Sequence, residues 1–246
     1  MARRQDPERR DPPVGWVRLR YTKLGPARFM SARDVARMLE RALKRADVPV
    51  AYSSGFSPHM RVSYAFPAPT GAASLSEYAL VALASALEPD VLQQRLGAQL
   101  PDGVRVWASA TNDRHLPPLL AASRWRMTWP GTDDDGSLAT AVASFLTADT
   151  VNVERRSKSG TSIQDVRGAV VSLEAGTSTA ESALTMVLRQ GDPLIRPTDV
   201  AAGLASWCQP MPVWGPGLLS REAQGTLEPD GTVTDLPEPD LRPLLG

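Results

Sequence analysis

Cysteine and histidine are scarce in this chain of 246 residues, which contains one cysteine and two histidines. A single cysteine, Cys208, excludes an internal disulfide and any zinc or iron–sulfur site that needs several cysteines of one chain. The histidines, His59 and His115, do not have the spacing of paired metal ligands. The sequence therefore predicts no metal site and no cofactor bound by this chain.

Long apolar runs and the common catalytic motifs are missing as well. No apolar run approaches the roughly 20 residues needed to cross a bilayer, and the start "MARRQDPERR" lacks the apolar stretch of a signal peptide. We therefore expect a cytoplasmic protein that does not bind membranes. The P-loop, dinucleotide-binding, serine-hydrolase and zinc-protease motifs are absent, which removes the most frequent enzyme classes.

Charge is balanced overall but unevenly distributed. The chain has 27 basic and 27 acidic residues, whereas residues 1–61 contain 14 Lys/Arg and 6 Asp/Glu, a difference of +8 that leaves −8 for the remainder. A basic section is typical of proteins that bind polyanions, because each phosphate contact releases counterions. A solvated, arginine-rich surface would explain the same charge.

The first strong pattern is the segment "WVRLRYTKL", whose alternation is typical of a strand with one buried face. The buried face would hold Val17, Leu19 and Tyr21, and the exposed face would be basic, with Arg18, Arg20 and Lys23.

A helix is predicted from Ser31 to about Ala46, with Ser31 and Asp34 forming a capping box. An apolar stripe on one face is formed by Val35, Met38, Leu39, Ala42 and Leu43. The opposite face is cationic, with Arg33, Arg37, Arg41, Lys44 and Arg45. Like charges four residues apart repel, so an anionic partner would stabilise this arrangement.

The order of elements predicts an α+β fold of two tandem ferredoxin-like modules, β-α-β-β-α-β, of which the second is degenerate. We expect flexible termini and the following boundaries: a disordered arm 1–14, a first module 15–111, a linker 112–122, a second module 123–227, and an acidic, proline-rich tail 228–246.

The segment "GFSPHMRVSYAFPAPTG" is rich in proline and predicts a rigid presenting loop. His59 could act there as a general acid or base, or donate to a phosphate, because the pKa of an unperturbed histidine is near neutrality. It could equally stabilise a turn. The aromatic residues around the loop could stack unpaired bases or face the core; they are Tyr52, Phe56, Tyr64 and Phe66.

A second candidate site lies in "SIQDVRGAV". Asp165 and Arg167 are two residues apart, so on a strand they would share a face and could hold a ligand together. An ordinary ion pair is the structural alternative.

The opening from "VRLRYTKLGPARF" to "AFPAPTG" resembles the DUF2344 family, the radical-SAM-linked proteins of bacteria, whose hallmark is a Gly-Phe-Asn/Ser-Pro-His segment before a proline-rich strand. The resemblance extends from about Trp16 to Glu222, with weaker similarity in "IQDVRGAVVSLE" and "LIRPTDVAAGL". Many relatives have Leu-Ser-His-Leu-Asp before the first helix, where this chain has Ala32 and Arg33. The matching residues are Gly55, Phe56, Pro58, His59, Arg61, Ser63, Pro67, Pro69 and Gly71.

The resemblance implies association with a radical SAM protein and a context of RNA or ribosome metabolism. With one cysteine, this chain cannot ligate a radical SAM cluster, so a 4Fe–4S cluster and S-adenosylmethionine would come only through that partner.

The leading hypothesis is an accessory protein that binds or presents RNA or a ribonucleoprotein and has no catalytic activity of its own. The alternatives are a metal-independent RNA-modifying or RNA-processing enzyme using His59, and a protein-only adaptor for the radical SAM enzyme. The candidate ligand-binding residues are Arg18, Arg20, Lys23, Arg28, Arg33, Arg37, Arg41, Lys44, Tyr52, Gly55, Phe56, Ser57, Pro58, His59, Arg61, Asp165 and Arg167.

Overall fold

The fold is taken from a computed structural model that describes residues 11–130, 136–157, 160–177, 181–205 and 217–236. These residues divide into two compact units, one up to residue 118 and one from 119 to 236. The protein is α+β, as the sequence predicts. Within the described ranges, no helix is long and apolar enough to cross a membrane. Cys208 lies outside the described residues.

The first unit has the predicted element order β-α-β-β-α-β. Its strands are antiparallel to their neighbours and lie in the order β4-β1-β3-β2. The elements are β1 (Gly15–Lys23), α1 (Ala32–Arg45), β2 (Val62–Ala65), β3 (Ala73–Leu83), α2 (Pro89–Gly97) and β4 (Val106–Thr111), with a 3-10 turn at Gly25–Phe29.

The core of the first unit lies between one face of this sheet and the two helices. Leu39 and Leu43 of α1 are completely buried, as are Leu92 and Leu96 of α2. The predicted apolar stripe of α1 is confirmed, with Met38 partly buried at its margin. Because one side of α1 is fixed against the core, its opposite side is turned to solvent.

The capping box at the start of α1 is confirmed. The Asp34 backbone N–H donates to the Ser31 hydroxyl oxygen (3.2 Å), and the Ser31 backbone N–H donates to the Asp34 carboxylate (3.3 Å). The Ser31 hydroxyl also donates to that carboxylate (2.6 Å). These hydrogen bonds hold the pKa of the Asp34 carboxyl below its usual value. The bond from the Ser31 hydroxyl has the largest effect.

We expect Ser31→Ala to lower the free energy of unfolding by about 1 kcal/mol at neutral pH, because an N-cap is lost. The contribution of a carboxyl with a lowered pKa is present above its unfolded pKa and is lost as pH falls through the folded value. The difference between wild type and variant should therefore shrink below about pH 4. Urea unfolding at neutral and acidic pH measures this, with Ser85→Ala at an exposed position as control. A difference that grows in acid would contradict the prediction.

The predicted exposed, basic face of β1 is wrong. Side chains alternate along a strand with a period of two, so Lys23 belongs on the face of Tyr21 and not on that of Arg20. Both faces of the strand are also covered, because Lys23 is 2% exposed and Arg18 is 8% exposed. The Arg18 guanidinium lies 3.8 Å from the carboxylate of Asp113.

The second unit is organised around a sheet in the order β8-β9-β5-β10-β11, again with antiparallel neighbours. Two strands, β6 and β7, form a separate antiparallel ribbon. The elements are β5 (Ala122–Pro130), α3 (Ser137–Thr147), β6 (Asn152–Ser157), β7 (Gly160–Asp165), β8 (Val170–Thr177), β9 (Glu181–Arg189), α4 (Pro197–Ala205), β10 (Leu218–Leu227) and β11 (Val233–Asp235).

Several predicted boundaries differ from the structure. Strand β7 was not predicted, because its sequence is polar and nearly all its residues are exposed. Residues 228–236 were assigned to the acidic tail, but they contain a turn and β11, which pairs with β10. Residues 1–10 of the predicted arm and 237–246 of the predicted tail lie outside the described residues.

Candidate functional site

The solvent side of α1 carries a concentration of positive charge. Its five cationic side chains are all exposed, and they are Arg33, Arg37, Arg41, Lys44 and Arg45. Residues 37, 41 and 45 recur every four positions and therefore form one row along the helix. The burial of the opposite face fixes the direction in which this row points.

Four of these cations are not neutralised by the part of the chain that the structure describes. Within it, no carboxylate forms an ion pair with Arg33, Arg37, Arg41 or Lys44. Two carboxyls lie on the same helix: Asp34, which Ser31 engages, and the half-buried Glu40; neither forms an ion pair with these four cations in the described chain. These four cations therefore present a positive potential to solvent, at the cost of mutual repulsion.

An open groove of about 590 Å³ runs between α1 and the chain that follows α2. We call it the α1 groove; its lining residues are Met30, Asp34, Arg37, Met38, Arg41, Arg45, Ala98, Gln99, Leu100 and Pro101. A second cavity of about 440 Å³ is lined by Arg45, Ala98 and Gln99 as well, and it adds Arg95. The α1 groove thus combines a cationic side with an apolar side.

Arg45 is held in place where α1 meets the end of α2. Its Nε donates to the side-chain oxygen of Gln99 (3.2 Å), and its Nη2 donates to the backbone oxygen of Gln99 (2.7 Å). Arg45 is not among the binding residues predicted from the sequence, although it belongs to the predicted cationic face. The four-residue spacing from Arg37 and Arg41 was the signal that could have added it.

The loop around His59 is a narrow hairpin. Tyr52 and Met60 form a bridge, and the Arg61 N–H donates to the Ala51 oxygen (2.8 Å). The Ser53 N–H donates to the His59 backbone oxygen (2.9 Å), and the His59 N–H donates to the Ser53 hydroxyl oxygen (3.0 Å). The chain closes on itself by backbone hydrogen bonds.

The tip of this hairpin is exposed. Gly55 has a φ of +118°, which glycine adopts without strain, and Phe56 is 73% exposed. Ser57, Pro58 and the His59 side chain are exposed too.

His59 has no catalytic partner among the residues that the structure describes. None of them makes a hydrogen bond or an ion pair with its imidazole. The guanidinium of Arg61, a candidate ligand-binding residue, lies over the ring of Trp16, 5.6 Å from its centroid. In the described chain, no side chain orients the His59 imidazole.

Two predicted ligand-binding residues instead hold the proline-rich loop that follows β2. The buried Lys23 Nζ donates to the backbone oxygens of Ala68 (3.2 Å) and Pro69 (2.9 Å). Arg28 Nε donates to the Gly71 oxygen (2.7 Å). Lys23 and Arg18 are buried, so their charges are not part of the exposed surface.

The remaining predicted residues lie apart from the α1 groove lining. Arg20 is half-buried, with its guanidinium 5.7 Å from the centroid of the Trp107 ring. Tyr64 faces the core side: its hydroxyl donates to the Ala36 oxygen (3.3 Å), and burial, with a smaller effect of the Glu40 carboxylate, raises its pKa.

Asp165 and Arg167 belong to the second unit and do not share a strand. Strand β7 ends at Asp165, and Arg167 lies in the following turn. The Asp165 carboxylate accepts from the backbone N–H groups of Val151 (2.9 Å) and Arg167 (3.0 Å). The Arg167 guanidinium donates to the backbone oxygens of Leu146 (3.2 Å) and Val170 (3.3 Å). Both side chains therefore organise this loop.

Metal-ligating side chains are not clustered in the described ranges. No three of the His, Cys, Asp and Glu residues there could hold a metal ion together.

These features define an α+β protein with a cationic groove on its first unit. The chain belongs to the DUF2344 family, described as an uncharacterized protein conserved in bacteria, whose sequence profile matches residues 16–197. No curated protein matches the sequence.

Two solved structures are similar only weakly. An unknown protein from Galdieria sulphuraria is 14% identical, with 86% of this chain and 98% of that chain covered and a TM-score of 0.24. A putative glycine cleavage system transcriptional repressor is 12% identical, with 84% and 95% covered and a TM-score of 0.22. Both scores are too low for either structure to inform the fold or function.

Proposed function

We propose that the protein binds RNA through the exposed cationic side of α1 and has no catalytic activity of its own. One observation carries the proposal: Arg33, Arg37, Arg41 and Lys44 are exposed together, and no described carboxylate pairs with them. Unpaired cations on one helix face repel one another, and a polyanion removes that repulsion and releases its counterions.

The proposal narrows the binding surface expected from sequence. Arg18 and Lys23 are excluded because they are buried, while Arg45 is added because it lines the α1 groove. The absence of an orienting partner for His59 in the described chain favours binding over catalysis.

We also propose that both units are ferredoxin-like modules. The strand order β4-β1-β3-β2 of the first unit recurs in the second as β10-β5-β9-β8, with the β6–β7 ribbon inserted and β11 added. Association with a radical SAM protein, which would supply any 4Fe–4S cluster and S-adenosylmethionine, stays a prediction from the family resemblance.

A salt titration tests RNA binding. We expect the triple variant R37Q/R41Q/K44Q to bind a short single-stranded RNA about 100-fold more weakly at about 0.1 M salt. The slope of log K against log salt should become shallower by about 2, since about 0.7 is lost per phosphate contact. Fluorescence anisotropy over a salt series measures both quantities. Glutamine keeps a high helix propensity, so α1 should remain folded.

A matched control removes the same charge elsewhere. Arg105, Arg114 and Arg189 are exposed and lie outside the α1 groove lining, so R105Q/R114Q/R189Q should bind like wild type. Equal weakening by the two triple variants, or binding by wild type that is insensitive to salt, would overturn the proposal. RNA turnover that His59→Ala abolishes without weakening RNA binding would establish the enzyme alternative.

A further inference from the structure

We propose that the α1 groove takes unpaired RNA, with phosphates along Arg37, Arg41 and Arg45 and a base against the apolar side formed by Met30, Met38 and Leu100. This inference rests on the proposed function and goes further, because it names the conformation of the RNA. It also divides the groove into one side that binds phosphates and one side that contacts the base.

The spacing of the arginine row along α1 matches the spacing of phosphates in an extended RNA backbone. With a rise of 1.5 Å per residue, side chains four apart are separated by about 6 Å along a helix. Successive phosphates of an extended single strand are separated by a comparable distance. Three arginines can therefore contact three consecutive phosphates, and Asp34, which also lines the groove, places a negative charge at one end of the row.

Arg45 is the preorganised member of the row. Gln99 occupies its Nε and one donor of Nη2. A guanidinium has five N–H donors, so donors remain for a phosphate. Because the hydrogen bonds to Gln99 already restrict this side chain, binding costs less conformational entropy than at a freely rotating arginine.

The apolar side of the groove fits the face of a nucleobase. Met30, Met38 and Leu100 pack on the core of the first unit and remain partly exposed. Methionine is flexible and polarizable, so it adapts to a flat aromatic surface. A volume of about 590 Å³ is within the range of small-ligand sites and suits one or two nucleotides.

These two sides favour an unpaired strand over a duplex and over an acidic peptide. In a duplex the base faces are stacked on one another, which would leave the apolar side of the groove in water. An acidic peptide would pair with the same guanidinium groups, which bind carboxylates and phosphates alike, but it lacks the planar base that the apolar side would contact.

The experiment compares probes of equal negative charge in the full-length protein. The probes are a single-stranded RNA, the same strand without bases, a duplex of half the length, and a peptide of alternating glutamate and leucine. We expect the base-bearing single strand to bind wild type about tenfold or more tightly than the abasic strand. Met38→Ser should abolish this preference and leave the salt slope unchanged. R37Q/R41Q/K44Q should reduce the slope and keep the preference.

A measurement on the wild-type protein covers the case in which Met38→Ser does not fold. A strand containing 4-thiouridine is crosslinked by light, and the attached peptides are identified by mass spectrometry. We expect attachment within residues 30–38 or 98–101, the two segments that supply the apolar side.

The outcomes separate the two proposals. Equal binding of abasic and base-bearing strands, tighter binding of the duplex or the peptide, or crosslinks confined to other segments would overturn this inference. RNA binding that still depends on Arg37, Arg41 and Lys44 would at the same time leave the proposed function standing. No binding of any RNA would overturn both.

Discussion

Replacing Lys23 with methionine is expected to lower the free energy of unfolding by about 3–5 kcal/mol, the cost of removing one member of a buried charged cluster. Lys23 and Glu77 are each 2% exposed, and both hold Ala68. The lysine Nζ donates to its backbone oxygen (3.2 Å), and the glutamate carboxylate accepts from its N–H (3.1 Å). Without the lysine, the backbone oxygens of Ala68 and Pro69 lose their donor, and the negative charge of Glu77 stays buried.

Urea unfolding of Lys23→Met against Lys44→Met measures the effect. Lys44 is exposed on α1, so the same chemical change should alter stability there by less than about 0.5 kcal/mol. The double variant K23M/E77Q should be more stable than the sum of the single losses predicts, because Glu77→Gln removes the negative charge that Lys23→Met leaves behind. Equal stability of Lys23→Met and Lys44→Met would show that the cluster does not stabilise the first unit.

Substituting Gly103 with alanine should be nearly as damaging, with an expected loss of about 3–4 kcal/mol. Gly103 has a φ of +84°, and an added Cβ would lie 2.2 Å from the backbone oxygen of Leu24. The Leu24 N–H donates to the Gly103 oxygen (2.9 Å), and the Thr22 hydroxyl donates to it as well (3.1 Å). Relieving the clash requires the chain after β1 to move away, which breaks these contacts.

Gly97→Ala is the matched control for this substitution. Gly97 is the last residue of α2, its φ is not positive, and an added Cβ meets nothing within 4 Å. Alanine there should be neutral or stabilising by at most about 1 kcal/mol, since it favours the helix. Calorimetric melting temperatures of the two variants test the contrast. Similar temperatures for both would contradict the close approach of Gly103 and Leu24.

Helix α1 is an element whose structure local sequence patterns predict. Its capping box and its apolar stripe follow from interactions between residues three or four apart, so the sequence contains all the information needed to place them. The cationic face follows from the same periodicity, because burial of the stripe turns Arg37 and Arg41 to solvent. The helix predicted from Ser31 to about Ala46 therefore differs from the observed helix, Ala32–Arg45, by about one residue at each end.

In strand β1 and the Asp165 segment, local sequence patterns do not predict the contacts of the side chains. Alternation indicates which residues share a face, but it does not say whether the second face is covered, and Arg18 is buried there. On a strand Asp165 and Arg167 would share a face, yet their side chains stabilise a loop through hydrogen bonds to Val151 and Leu146. Those partners are distant in sequence, so no local pattern could identify them.

The sequence alone determined the α+β class, the element order of the first unit, the helix that carries the cations and the family. Only the tertiary structure decided which cations are available to a ligand, because availability depends on contacts between distant segments. Lys23 is buried and donates to the backbone oxygen of Ala68, whereas Arg45 stays exposed and is held by Gln99, which follows α2. The α1 groove lies between two segments that are distant in sequence. Leu100, on its apolar side, comes next to α1 only when the chain has folded.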